Sequence, residues 1–120
     1  MNDLSGLRAL VVEDEGSVAL LIEEMLLDLG CEIAASVARL TDACRIAGTA
    51  TFDFAVLDVN LGGKSVLPVA QILRDRRIPF VFSTGYGADG LPEEFGGRPV
   101  LSKPFALEEF RRVICAALHR

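Results

Sequence analysis

The sequence predicts an α/β domain built on a five-stranded parallel sheet, of strand order 2-1-3-4-5, with helices on both faces. The first observation is that apolar runs of strand length alternate along the chain with segments whose apolar residues recur at helical spacing. The second is that each strand and the helix after it occupy roughly 20 to 25 residues, enough for a right-handed crossover between parallel strands. The third is the Phe-Ala-Val-Leu run at residues 54–57, which is typical of a strand buried on both faces. Such a sheet has its switch point between the first and third strands, where ligands bind beyond the carboxyl ends.

Three strands and two helices are predicted in the first half of the chain. The strands cover residues 7–12, 31–37 and 54–57. The first helix begins at Gly16, and Gly30 ends it in the position that favours a left-handed cap. The apolar stripe of that helix comprises Val18, Leu21, Ile22, Met25, Leu26 and Leu29. The stripe of the second helix comprises Leu40, Ala43, Cys44, Ile46 and Ala47.

Two strands and three helical segments are predicted in the second half. The strands cover residues 78–83 and 99–102. Ser65 is predicted as the N-cap of a helix over residues 66–73, with Pro68 in its first turn. Residues 85–97 contain five glycines and Pro92, so any helix there is expected to be short. The final helix is predicted to turn inward Leu107, Phe110, Val113, Ile114 and Ala117.

Length and composition limit the functions open to the chain. With 120 residues and 51% hydrophobic content, residues 1–120 are predicted to form one domain, with no output domain. A net charge of −5 argues against a nucleic-acid partner, which needs a basic face. No apolar stretch is long enough to span a membrane and no export signal is seen, so we expect a cytoplasmic protein without membrane insertion. Cys31, Cys44 and Cys115 are interpreted as core residues of a reduced protein.

Polar side chains stand at the carboxyl ends of four predicted strands. Glu13 and Asp14 follow the first strand, and Asp58 follows the third, its neighbour in the predicted order. Thr84 and Lys103 follow the fourth and fifth strands. Crowded carboxylates repel one another, and a hard divalent cation such as Mg²⁺ would relieve that repulsion, while a hydroxyl and an ammonium group are suited to holding phosphoryl oxygens. Considered alone, Asp58 has the simpler interpretation of a cap for the next helix or turn.

Four motifs together resemble the receiver domain of two-component response regulators, a flavodoxin-like fold. They are Val-Val-Glu-Asp-Glu at 11–15, Leu-Asp-Val-Asn-Leu at 57–61, Phe-Ser-Thr-Gly at 82–85 and Leu-Ser-Lys-Pro-Phe at 101–105. The resemblance covers essentially the whole chain. The stretch Phe-Ser-Thr-Gly-Tyr-Gly at 82–87 further resembles the stand-alone subgroup nicknamed FAT GUY.

The resemblance implies a phosphoacceptor that assists its own phosphorylation and dephosphorylation, rather than an enzyme acting on other substrates. Asp58 would take the phosphoryl group from a phosphohistidine of a sensor histidine kinase. The implied ligands of Mg²⁺ are Asp14 and Asp58 directly, Glu13 through water, and the backbone carbonyl of Asn60. The domain would then signal through contacts with a phosphotransfer protein or a target protein, or act as a phosphate sink.

The same resemblance assigns the groups that hold the phosphoryl oxygens. Thr84 would donate a hydrogen bond to one oxygen, and Lys103 would neutralise another. The bond between Lys103 and Pro104 is expected to be cis, which aims the lysine into the site.

One position departs from the family pattern. Receiver domains often carry Tyr or Phe three residues before the lysine, and that position is Val100 here. The usual coupling between threonine and an aromatic ring is therefore unsupported, and Tyr86 has two interpretations, a replacement for that signal or surface packing. We hypothesise instead that phosphorylation orders residues 85–97 through Thr84. A beryllofluoride mimic would then raise amide-exchange protection there, and equal protection in both states would contradict the hypothesis.

Three other functions compete with this one. Residues 85–90 match the GxGxxG pattern of dinucleotide sites, but that pattern belongs in the first strand–helix unit, and this stretch follows the fourth strand. A haloacid dehalogenase-like phosphohydrolase needs an acid two residues after its nucleophile, and residue 60 is Asn. A receiver-like domain that binds partners without being phosphorylated is opposed by the complete set of Glu13, Asp14, Asp58, Thr84 and Lys103.

Overall fold

The computed structural model describes residues 4–84, 100–102 and 105–119, with the side chain of Ser102 outside this set. Several predictions fall on residues outside these ranges. They concern the glycine-rich segment 85–97 with Tyr86 and its GxGxxG stretch, the placement of Lys103, and the cis bond before Pro104.

Five parallel strands form the central sheet, and two short antiparallel strands form a separate hairpin. In chain order the strands are β1 (Arg8–Val12), β2 (Glu32–Val37), β3 (Phe54–Asp58), β4 (Asn60–Leu61), β5 (Lys64–Ser65), β6 (Phe80–Thr84) and β7 (Val100–Ser102). The sheet order is β2-β1-β3-β6-β7, and every neighbouring pair is parallel. Because β4 and β5 belong to the hairpin, the five strands of the sheet follow the predicted order 2-1-3-4-5, and the predicted fold is confirmed.

Four helices within the described ranges cover the two faces of this sheet. They are α1 (Gly16–Asp28), α2 (Leu40–Thr49), α3 (Leu67–Asp75) and α4 (Leu107–Leu118). Side chains of α1 and α4 pack into one apolar cluster, and those of α2 and α3 pack into a second. None of these helices combines the length and the apolar character that crossing a membrane requires.

Strand β3 lies between the two apolar clusters, and all five of its residues are buried. Phe54 and Val56 pack in the cluster with α1 and α4, whereas Ala55 and Leu57 pack in the cluster with α2 and α3. This alternation follows from the pleat, which turns successive side chains to opposite faces. Because the strand is apolar on both faces, it is stable only between two helical layers. It is also the central strand of the sheet, so its last residue, Asp58, lies at the centre of the sheet's carboxyl edge.

The buried faces of two helices differ from the predicted stripes. In α1 the buried residues are Ala19, Ile22 and Leu26, and Leu21 is 42% exposed. In α4 Leu107 is the first helical residue and is 39% exposed. Both were predicted to be buried, and both predictions are wrong. Periodicity identifies an apolar face of broad width, but the neighbouring elements decide which part of it is covered.

The helix ends agree with prediction at Gly30 and disagree at Ser65. Gly30 follows the C-cap of α1 with φ +84°, a left-handed conformation. At the start of α3 the N-cap position is occupied by Val66, not by Ser65. Ser65 lies one residue before the N-cap, and its hydroxyl accepts a hydrogen bond of 3.1 Å from the Leu67 amide. Pro68 lies in the first turn of α3, as predicted.

The three cysteines are free thiols. Cys31 and Cys115 are buried and Cys44 is half-buried, which agrees with their interpretation as core residues. Burial, with smaller contributions from the charges of Asp53 and Cys115, raises the pKa of the Cys31 thiol to about 11. This thiol therefore stays protonated at neutral pH and is a poor nucleophile.

Candidate active site

Three carboxylates converge at the carboxyl edge of the sheet. Glu13 and Asp14 directly follow β1, and Asp58 is the last residue of β3. The two strands are neighbours, with Val12 opposite Leu57, so the residues that follow them meet at the same edge. One oxygen atom from each carboxylate lies within 4.8 Å of the others. The sequence prediction that Asp14 and Asp58 face a common crevice agrees with this geometry.

Burial divides the three carboxylates into two inner groups and one outer group. Glu13 is 3% exposed and Asp58 is 8% exposed, whereas Asp14 is exposed to solvent. Carboxylates are rarely buried unless a partner compensates the lost hydration. The site therefore has a buried negative floor, formed by Glu13 and Asp58, and an open side at Asp14.

Backbone amides orient each of the three carboxylates. Glu13 Oε2 accepts a hydrogen bond of 3.1 Å from the Glu15 amide, and Asp58 Oδ1 accepts one of 3.2 Å from the Asn60 amide. Asp14 Oδ2 accepts one of 2.9 Å from the Gly62 amide. These bonds come from main-chain groups next to the site, so the fold itself helps to hold each carboxylate in place.

The hairpin of β4 and β5 explains how the Gly62 amide reaches Asp14. Gly62 and Gly63 form its two-residue turn, and both have positive φ, +57° and +89°. Such a turn needs residues that tolerate positive φ, and a glycine pair supplies them. The Asn60 side chain braces the turn, because its Oδ1 atom accepts a hydrogen bond of 2.7 Å from the Gly63 amide. The glycine pair in the sequence is a signal for a hairpin turn, but it does not reveal the bond to Asp14.

The donor set of this cluster fits a hard divalent cation. All three groups are carboxylates. Hard cations such as Mg²⁺ and Ca²⁺ prefer oxygen ligands of this kind, whereas softer metals prefer sulfur or nitrogen ligands. In an octahedral magnesium site with bonds of about 2.1 Å, ligand oxygens lie within about 4.2 Å of one another. Small side-chain adjustments would bring a cluster limited to 4.8 Å within that range.

An open cavity of about 260 Å³ adjoins the outer side of the cluster. Asp14 and Gly62 form one part of its lining, and Arg39, Thr41 and Lys64 form another. The cavity makes Asp14 accessible from the side of the α2 N-terminus, and it places two cationic side chains around that approach.

The remaining predicted site residues lie on β4, where Asn60 is the first residue, on β6, or beyond the described ranges. Thr84 is the last residue of β6, the strand next to β3, and is 2% exposed. Lys103 and Pro104 are outside the described residues, so their roles stay predictions. Val100 begins β7 and is half-buried against the cluster with α2 and α3, in the place where many receiver domains carry an aromatic ring.

Sequence reasoning overlooked Ser83, which precedes Thr84. Ser83 is completely buried, and its hydroxyl has no hydrogen-bond partner within the described part of the chain. A serine near the end of an otherwise apolar buried strand is the signal that could have drawn attention to it.

Comparison with known proteins agrees with this geometry. The family model of the response regulator receiver domain matches residues 9–115. The chain is similar to SdrG from Sphingomonas melonis Fr1, with 38% sequence identity and a TM-score of 0.85 over 98% of this chain and 99% of that one.

Two further similar proteins carry specific information. The receiver domain of the sensor histidine kinase PA1611 from Pseudomonas aeruginosa PAO1 is 26% identical, with a TM-score of 0.81 over 97% of this chain and 100% of that one, and has a magnesium ion coordinated in its active site cleft. The regulatory protein VirG from Agrobacterium tumefaciens (strain 15955) is 32% identical over 117 residues, which are 91% of this chain and 42% of VirG. The chain spans about half the length of the curated relatives that it matches.

Proposed function

The chain belongs to the response regulator receiver domain family, and from this premise we propose that it accepts a phosphoryl group on Asp58 from a sensor histidine kinase. The observation that carries the proposal is the convergence of Glu13, Asp14 and Asp58 within 4.8 Å at the carboxyl edge of the sheet. Carboxylates this close repel one another, and a bound cation would relieve that repulsion.

In the proposed reaction a carboxylate oxygen of Asp58 attacks the phosphorus of a phosphohistidine. An O–P bond forms, the P–N bond breaks, and its electron pair returns to the imidazole nitrogen. The Asn60 amide, 3.2 Å from Asp58 Oδ1, orients the nucleophile. Dephosphorylation is the attack of a water oxygen on the same phosphorus, which releases inorganic phosphate and restores the carboxylate.

Mg²⁺ is the proposed cofactor of this reaction. Its proposed ligands are Asp14, Asp58, the backbone carbonyl of Asn60 and, through water, Glu13. When bound, the ion supplies positive charge that offsets both the carboxylates and the phosphoryl oxygens. The presence of a magnesium ion in the cleft of the similar PA1611 receiver domain supports this assignment.

Thr84 and Lys103 are proposed to hold the other phosphoryl oxygens. Thr84 ends the strand beside β3, one residue beyond the position that lies opposite Asp58. It would donate a hydrogen bond to one oxygen, and the ammonium group of Lys103 would neutralise another. The cis bond before Pro104 stays a prediction for the orientation of that lysine.

An exposed face of α1 is proposed to bind the partner protein. This helix begins two residues after Asp14, and its residues Leu20 and Leu27, 57% and 58% exposed, lie two turns apart on one face. Large apolar side chains on a helix beside the site are suited to contact with another protein. We expect this surface to bind the kinase in the cytoplasm, with output through a phosphotransfer protein or target, or no output if the domain acts as a phosphate sink.

Phosphorylation by acetyl phosphate in the presence of Mg²⁺ tests the proposed function. Wild-type protein should acquire phosphate that both acid and base remove, as expected for an acyl phosphate, and Asp58→Asn should not. Asp53→Asn is the matched control, because Asp53 lies just before the start of β3 at the opposite edge of the sheet, where it accepts a hydrogen bond of 2.8 Å from the Arg8 amide. Equal labelling of Asp58→Asn and wild type would refute the assignment.

The same assay separates the competing functions. An aspartate phosphatase of the haloacid dehalogenase type would turn over many equivalents of a small phosphate ester. This is not expected, because residue 60 is an asparagine whose Oδ1 atom is bonded to the Gly63 amide. A receiver-like domain that binds partners without phosphorylation would give no label on the wild type.

A further inference from the structure

Ser83 has a buried hydroxyl whose environment calls for an explanation. The residue is 0% exposed, and its Oγ atom has no hydrogen-bond partner among the described residues. Buried polar groups in proteins are nearly always paired, because an unpaired one has lost its hydration without compensation. An unpaired hydroxyl that is retained in a core strand therefore points to a partner that is present in another state of the protein.

The sheet register identifies the neighbours of that hydroxyl. Ser83 lies opposite Asp58 on β3 and opposite Leu101 on β7. Residues directly opposite each other in parallel strands point to the same face of the sheet. Packing confirms the shared face, since Val81 and Val56, which precede Ser83 and Asp58 by two residues, belong to the same apolar cluster. Leu101 offers no polar atom, so the polar side chain next to Ser83 across the sheet is Asp58.

We propose that Ser83 is a hydrogen-bond donor to the phosphorylated form of Asp58, and that this bond satisfies a hydroxyl that has no partner among the described residues. The inference rests on the phosphorylation of Asp58 proposed above. Phosphorylation would place three acceptor oxygens on Asp58, the residue directly opposite Ser83. A serine hydroxyl can turn toward a new acceptor by rotation about one side-chain bond.

Ser83 and Thr84 have separate roles in this arrangement. Successive residues of a strand point to opposite faces, so the two hydroxyls approach the phosphoryl group from different sides of β6. Ser83 would act only in the phosphorylated state, because without the phosphoryl group its hydroxyl has no partner among the residues that the structure describes. Its bond would therefore shift the equilibrium toward the phosphorylated form without adding stability to the unphosphorylated one.

Ser83→Ala should have opposite effects on the two states, which a purely structural role would not produce. Without Mg²⁺ or a phosphoryl analogue, the alanine variant should be at least as stable as wild type, because it loses a buried group that has no partner. Its affinity for beryllofluoride should fall by about three- to tenfold, the factor that corresponds to one net hydrogen bond.

The experiment combines thermal unfolding with calorimetric titration of beryllofluoride in excess Mg²⁺ for four proteins. These are wild type, Ser83→Ala, Ser83→Cys and the control Ser36→Ala. Ser83→Cys keeps the shape of the side chain with a weaker donor, so it tests the bond without a new cavity, and it should also bind more weakly. Ser36 lies on β2 and its exposed hydroxyl bonds to Glu23 Oε2 at 3.1 Å, so its removal should leave beryllofluoride affinity unchanged.

Each outcome decides between named alternatives. Weaker binding by both Ser83 variants, with undiminished stability of Ser83→Ala, supports the proposal. Equal or tighter binding by Ser83→Ala overturns it, and so does a clear loss of stability in Ser83→Ala, since the hydroxyl would then have a partner in the free protein. If wild type itself fails to bind beryllofluoride, the phosphorylation of Asp58 is refuted instead, and the Ser83 proposal is refuted with it.

Discussion

Replacing Asp14 by asparagine should make the protein more stable without magnesium and less responsive to magnesium. Asp14 is the exposed member of the carboxylate cluster, and its Oδ2 atom accepts the hydrogen bond from the Gly62 amide. The amide oxygen of asparagine can accept the same bond. The substitution therefore removes one negative charge with little change in shape.

The size of the gain follows from Coulomb's law. Two like charges 4.8 Å apart, the limit on separations within the cluster, repel by about 0.9 kcal/mol in water. Asp14 faces two such charges, and screening at physiological ionic strength reduces the sum from about 1.7 to about 1 kcal/mol. For a chain of 120 residues, that free energy corresponds to a rise of about 4 °C in Tm.

Thermal unfolding followed by circular dichroism, with and without Mg²⁺, measures both effects. Wild type should gain more stability from Mg²⁺ than Asp14→Asn does, because the variant has lost a ligand charge. Glu24→Gln is the matched control, since Glu24 is an exposed acid of α1 outside the cluster and its replacement changes the net charge equally. The reasoning fails if Asp14→Asn is no more stable than wild type without Mg²⁺, or if Mg²⁺ stabilises the two proteins equally.

Two further predictions concern the core. Burial raises the pKa of the Cys31 thiol from 9.0 to about 11, so its contribution to stability is present below pH 9 and is lost as the pH rises from 9 to 11. Tm should therefore fall more steeply over that range for wild type than for Cys31→Ala, and parallel curves would contradict the assignment. Gly30→Ala should lower the unfolding free energy by about 1–2 kcal/mol in chemical denaturation, because alanine at φ +84° is strained and its Cβ would lie 3.2 Å from Ser5 Cα. Gly16→Ala, whose Cβ would meet nothing within 4 Å, should leave stability nearly unchanged, and equal losses in both variants would show that φ is not the cause.

The features that could be predicted are those that a local sequence pattern specifies. The β3 run, the Gly30 cap and the acidic ends of β1 and β3 are local patterns, and each is present in the structure. The exposure of Leu21 and Leu107 was missed because burial of a helix face depends on what packs against it. The predicted N-cap, Ser65, lies one residue before the observed one, Val66, because local patterns locate a helix end only to within one or two residues.

The same distinction between local patterns and tertiary packing applies to the candidate site. The grouping of Glu13, Asp14 and Asp58 at one edge follows from the strand order, and the alternation of strands and helices predicts that order. The bond from the Gly62 amide to Asp14 was not predictable, because it depends on how a hairpin folds back onto a residue distant in sequence. The lack of a partner for the Ser83 hydroxyl among the described residues was not predictable either, because it depends on every neighbour around that atom.

The sequence by itself determined the order of the five sheet strands and the four described helices, and the kinds of chemical group at the ends of those strands. These depend on side-chain periodicity and on backbone preferences, which act over a few residues. Only the tertiary structure decided which of these groups touch, how far each is buried, and which polar atoms lack a partner. Distances of a few ångströms between residues far apart in sequence are fixed by packing of the whole sheet and its helices, and no local pattern contains them.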